Sequence, residues 1–288
     1  MLALIVGDGF GHGAYHEVVA SLEARLKADP NDAGRRFALA CAHQEHGDWE
    51  QALVELERVE RMAPGVHETG LIQGMALATG KHWPHALAVM EEFLQTRPDH
   101  ASGLRQRGRV LRELGRRNEA ARDLGEALKR EAHPTGEQVA EQAGLLMECG
   151  RGAEAMAALT DGLLKTGNEP VLLESMLANA TQLQRWDEAL EAVAGLQKAA
   201  PRPEPWMLKR AELFEAAGRN DESRAAWQML RDRLMALPSL ERGTGQLAEC
   251  LRRAKHALGE PLSTPVVAPP AVRVTPHLEA SVSPPNTP

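Results

Sequence analysis

The sequence predicts an all-α protein, a row of stacked helix pairs followed by an irregular tail. Three observations carry that prediction. Within six successive segments a small residue recurs twelve positions before a second one: Ala40–Ala52, Gly74–Ala86, Gly108–Ala120, Ala143–Ala155 and Ala211–Ser223, with Leu177–Ala189 keeping the spacing with a larger first member. The second members follow one another at 34, 34, 35, 34 and 34 residues. Between them apolar residues keep the i, i+3, i+4, i+7 rhythm of a helix face, as in Leu53, Leu56 and Val59 or Leu124, Ala127 and Leu128. Composition agrees, since aromatics make up 3% of the chain and the core must be built from Ala, Leu, Val and Met, as close-packed helices are.

Taken from the N-terminus, residues 1–14 form a separate segment, MLALIV followed by GDGFGHGA. Gly9-x-Gly11-x-x-Ala14 matches a dinucleotide fingerprint, but that fingerprint needs a βαβ unit. Here the next stretch is helical and runs into ADPND with no second strand, so nucleotide binding is not expected. Tyr15–Ala28, closed by Pro30, reads as the second helix of a partial repeat over 15–32. Six full units then occupy 33–66, 67–100, 101–135, 136–169, 170–203 and 204–237. Their second helices open at GDWEQAL, KHWPHAL, GRRNEAA, GRGAEAM, RWDEAL and GRNDESR, where a glycine or polar turn closes one helix and acidic residues start the next. Pro64, Pro98, Pro134 and Pro201 mark the joints. The single 35-residue step places one inserted residue near Pro134–Gly136. Residues 238–260 read as a terminal helix with a polar outer face, closing the open end of the array. From Pro261 to Pro288 the Pro-, Ser-, Thr- and Val-rich composition cannot bury a core, and a disordered tail with polyproline character is expected.

The period of 34 and the pattern G-x-W-x-x-A-L…P resemble the tetratricopeptide repeat, a helix–turn–helix unit. The resemblance implies a right-handed superhelical solenoid of antiparallel helix pairs. It also implies a non-enzymatic protein-interaction scaffold that binds a partner peptide or helix in its concave groove. The alternative is a targeting or assembly module working with a separate enzyme or secretion complex. Arg117, Gly152 and Asn220 depart from the pattern where Trp49, Trp83 and Trp186 stand in other units, and looser packing is expected there. By the family's register the groove is lined by Phe37, Cys41, Leu71 and Met75, then Arg105, Arg109 and Arg112. Ala140, Gly144 and Met147 follow, then Glu174 and Ala178, and finally Leu208, Glu212 and Glu215. The three arginines share one helical face, which suits an acidic segment of a partner; the competing reading is an exposed face neutralised by Glu113 and Glu119. The Lys/Asn clamp by which some relatives grip a carboxylate terminus is absent.

Other chemistries find little support. A net charge of −7 and a pI near 5.9 argue against nucleic acid as a partner. Cys41, Cys149 and Cys250 are too dispersed for a zinc site or a disulfide framework. The pairs His12/His16, His43/His46 and His82/His85 have helical spacing, yet two ligands rarely hold zinc and no HExxH occurs, so neither metal nor cofactor is expected. No GxSxG, Walker or kinase signature is present. No run of about 18 apolar residues predicts a membrane span. Two compartments stay open: cytoplasmic with Met1 as the start, or exported if MLALIV is the remnant of a signal peptide begun upstream. The likeness of GHGAYHE to the mature start of exported bacterial repeat proteins speaks for the second, and the lack of a basic region before six apolar residues, which makes no working signal, speaks against it. Self-association through unstacked array ends is a further expectation.

Overall fold

In the computed structural model, residues 12–167, 169–242 and 245–260 are described. MLALIV, the glycine-rich stretch as far as residue 11 and the Pro-rich tail predicted to be disordered lie outside them. The described residues form helices and no strand. A first helix, α1 (His12–Ala28), precedes six antiparallel pairs: α2 (Ala33–His46) with α3 (Trp49–Met62), α4 (Thr69–Thr79) with α5 (Trp83–Thr96), and α6 (Ala101–Glu113) with α7 (Arg117–Arg130). They continue as α8 (Gly136–Glu148) with α9 (Gly152–Thr166), α10 (Pro170–Gln182) with α11 (Trp186–Ala199), and α12 (Glu204–Ala216) with α13 (Asn220–Ala236).

The small residues at twelve-residue separation lie where the two helices of each pair cross. Ala40, Ala52, Ala86, Ala120, Ala143, Ala155, Ala189 and Ala211 are wholly buried. A Cβ added at Gly108 would sit 3.2 Å from the Ala120 carbonyl oxygen, and Ser223 Oγ approaches the Ala211 carbonyl at 3.4 Å. One apolar core runs unbroken from α5 to α12, built on fully buried Met90, Leu145, Leu159 and Leu172.

The turn inside each pair repeats one device. Gly47, Gly115, Gly150 and Gly218 hold left-handed backbone (φ 95, 77, 72 and 70°), which ends the first helix. In the remaining two turns the same place falls to Lys81 (φ 60°) and Gln184 (φ 57°). The glycine of the second pair, Gly80, stands one residue early because the Trp49 ring lies on it: a Cβ there would be 2.8 Å from the indole. Left-handed backbone costs an ordinary L-residue about 1 kcal/mol that glycine avoids. Gln184→Gly is therefore expected to stabilise the array by about 1 kcal/mol, read as a higher urea midpoint. No change would mean that the side chain of Gln184 offsets the strain.

The looser packing expected at Gly152 is not found. Gly152 is buried, and a Cβ on it would lie 2.7 Å from Leu183, which comes from the turn of the next pair. The same junction in the first pair sets Trp49 against Gly80, so large and small residues exchange sides and the space stays filled. Arg117 and Asn220 face solvent instead, with Arg117 reaching Glu148 at 3.3 Å.

Both ends of the array are covered. Tyr15 and Leu26 of α1 are buried. The Tyr15 hydroxyl donates to Asp48 and meets His43 Nδ1 at 3.0 Å, while its ring stacks on His46 at 3.7 Å. At the other end the single terminal helix expected over 238–260 is divided. A four-residue turn, α14 (Ser239–Arg242), precedes α15 (Gly245–Ala257). α15 buries Leu247, Cys250 and Ala254 in a cluster with Met207, Trp227, Leu230 and Leu234, and turns Gln246, Glu249, Arg252 and His256 outward.

Candidate functional site: the inner face of the helix array

Which side of the array is concave follows from how the helices space themselves. At three of the five junctions the first helices of successive pairs touch, α2 with α4, α4 with α6 and α8 with α10, whereas successive second helices make no comparable contact. Open spaces of about 470, 600 and 210 Å³ separate α3 from α5, α7 from α9 and α11 from α13. Helices crowded on one side and splayed on the other describe a curve with the first helices inside.

Along that inner face the residues differ in what they leave free. Phe37 is half-buried and stacks on His67, with ring centroids 4.9 Å apart. Burial pushes the Cys41 thiol up to about 12, with Glu45 and Glu68 adding to the effect, so it is no nucleophile at neutral pH. Leu71 faces away from the groove: it is 5% exposed and joins Phe93, Leu94, Leu104 and Ala127 in the core. Its neighbour Gly70 leaves room for the Phe93 ring, which packs against it. Met75, Met147 and Leu208 are half-buried against the core clusters. Between Met147 and Glu174 the floor is open. A Cβ on Gly144 would meet nothing within 4 Å, and Ala178 and Glu174 are exposed. Glu212 is held by Arg253 at 2.5 Å and by Lys209 at 3.6 Å, while Glu215 stays exposed.

The three arginines do share one face, but none is free. Arg105 donates to Glu131. Arg109 grips Glu141 with two bonds of 2.7 and 2.9 Å, and Arg112 donates to Glu148. The Glu141 bond raises the Arg109 guanidinium above its ordinary range. Neither Glu113 nor Glu119 is the neutralising partner: Glu119 pairs with Arg116, and Glu113 has no ion pair among the described residues. The true partners lie 26 to 36 positions on, at the end of α7 and on α8. Comparing each charge with those about one repeat later would have found two of them, because that separation puts residues side by side on neighbouring first helices. α6 and α8, on either side of the inserted residue, thus meet through long ion pairs where α2 and α4, α4 and α6, and α8 and α10 meet through close packing.

Among the described residues no three His, Cys, Asp or Glu side chains converge as a metal site, and no helix is long and apolar enough to cross a membrane. His43 and His46 are engaged with Tyr15 and Asp48, and the His82 and His85 rings stand 6.5 Å apart.

Paired helices, glycine-ended turns and a curved inner face define a helical-repeat solenoid. The tetratricopeptide repeat family profile matches residues 37–101 and, overlapping them, 73–137, so this stretch of the chain is built of tetratricopeptide repeats. Solved structures extend the likeness of fold beyond the matched stretch. The C-terminal part of a TPR repeat-containing protein from Cytophaga hutchinsonii aligns with a TM-score of 0.62 at 12% identity, over 82% of this chain and 94% of that one. A tetratricopeptide repeat protein from Parabacteroides merdae aligns at 0.50 and 16% identity, over 86% and 94%. YrrB, described as a TPR protein with an unusual peptide-binding site, aligns at 0.50 and 14%, over 62% and 91%. No curated protein matches the chain in sequence. Proteins of this family serve in general as interaction scaffolds and are typically without enzymatic activity of their own.

Proposed function

We propose that the chain is a non-enzymatic interaction scaffold that holds an extended peptide or a helix of a partner protein along its inner face. The observation that carries this reading is the open floor at Gly144, Ala178 and Glu174. These positions have no part in the core, and they lie on helices that the rest of the fold holds rigidly. Six first helices at a spacing of roughly 10 Å make a surface on the order of 50 Å long, which an extended segment of about 15 residues would span. Half-buried Phe37, Met75 and Met147 supply apolar contact for such a segment. The peptide-binding site named for YrrB is in keeping with this use of the fold. An acidic partner segment is a less suitable occupant than the sequence implied, since Arg105, Arg109 and Arg112 already face carboxylates of the chain itself.

Gly144→Trp tests the groove. The indole would enter open space, so the fold is expected to keep its melting behaviour and helicity while partner capture falls at least tenfold. The measurement is a comparative affinity pulldown from the native host with wild-type and variant baits. Equal capture by the two would remove the inner face from consideration.

A further inference from the structure

The charges of the inner face do not cancel. Five carboxylates on the first helices, Glu45, Glu113, Glu137, Glu174 and Glu215, have no ion-pair or hydrogen-bond partner among the described residues. Every Lys and Arg on the same helices faces a carboxylate of the chain, save Arg210, which lies over the Phe214 ring at 5.5 Å. Direction follows from helical geometry. Measured from the small residue at each crossing (Ala40, Gly108, Ala143, Leu177, Ala211), the five stand at offsets of +5, +5, −6, −3 and +4. At about 100° per residue all five point within about 60° of Gly144, the position whose side-chain direction is open. The free charge of the groove is therefore negative from one end to the other.

Resting on the reading of this face as a peptide groove, we infer that its partner is a basic polypeptide segment, with Lys or Arg side chains spaced along an otherwise apolar stretch. The small floor at Ala140, Gly144 and Ala178 leaves room for long aliphatic stems, and Glu137 and Glu174, on the touching helices α8 and α10, receive the cationic heads. The inserted ion pairs of the arginine band serve this surface by cancelling a positive charge that would otherwise repel the ligand. The chain's own tail is a poor occupant, because residues 261–288 hold one cation, Arg273, against one carboxylate, Glu279. A second copy is no better, at a net charge of −7.

The test uses the full chain and two labelled 16-residue peptides with identical apolar positions, one carrying Lys and Arg, the other Glu, followed by fluorescence anisotropy at 50 and 300 mM salt. The basic peptide is expected to bind at least tenfold more tightly than the acidic one and to lose most of that advantage at high salt. Glu137→Lys with Glu174→Lys should weaken it at least tenfold with an unchanged circular-dichroism spectrum. Glu191→Lys, on the exposed side of the second helix α11, should leave it alone. Preference for the acidic peptide, blocked by Gly144→Trp, would overturn the charge inference and keep the groove. Indifference of the basic peptide to the Glu137/Glu174 reversal would also overturn it. Failure of both peptides to bind would sink the inference and the groove together.

Discussion

Replacing Arg107 by methionine is expected to cost the array about 3–5 kcal/mol, the range for stranding one partner of a buried ion pair. Arg107 donates from Nε and Nη2 to the two oxygens of Asp123 at 2.6 and 2.9 Å, and Asp123 is 6% exposed inside the α6–α7 pair. Methionine keeps the bulk of the arginine stem, so the loss isolates the charge. Without its guanidinium the carboxylate is almost out of water with only the more distant Arg116 acting on it, and the helix pair must open to satisfy it. Arg107→Met with Asp123→Leu should recover most of the loss, because removing both charges leaves no orphan. Urea midpoints report the size of the effect. Hydrogen exchange should place it in α6 and α7, since repeats open largely with their neighbours and not as one unit. A single variant within about 0.5 kcal/mol of wild type would show that Asp123 reaches water.

Leucine at Gly108 and leucine at Gly144 should behave as opposites. Both glycines sit mid-helix on first helices of adjacent pairs, one position apart in the repeat, and both have ordinary helical backbone. At Gly108 the new side chain would start 3.2 Å from the Ala120 carbonyl and 3.3 Å from Leu124, and a backbone atom cannot swing aside. The helices must separate, for about 3 kcal/mol, the upper end of usual overpacking. At Gly144 the side chain enters open space, and the gain in helix propensity over glycine offsets its exposure, so stability should hold or rise by about 0.5 kcal/mol. Equal losses at the two sites would mean that Gly144 does not face the groove.

These two experiments also divide what pattern alone could reveal from what it could not. The wholly buried alanines at the crossings and the period of the left-handed turns were legible because each is set by neighbours within one helix pair, fewer than about 20 residues apart. The partners of Arg105, Arg109 and Arg112 were not, because Glu131 stands at the far end of α7 and Glu141 and Glu148 come from the next pair, and the nearer Glu113 and Glu119 offered an equally good pairing on paper. Leu71 followed the groove register in sequence and left it in space, drawn inward beside Gly70 to meet Phe93. Gly152 looked like a gap until Leu183 of the following turn was seen to fill it.

By itself the amino-acid sequence determined that this protein is a row of helix pairs, where each pair closes, and which small residues let the backbones meet. Those features depend on helical periodicity and on side-chain size, both of which are written locally. Only the tertiary structure decided which inner-face charges are paired within the chain and which are not. That balance depends on distances between side chains a full repeat apart, and curvature, not spacing along the chain, sets those distances.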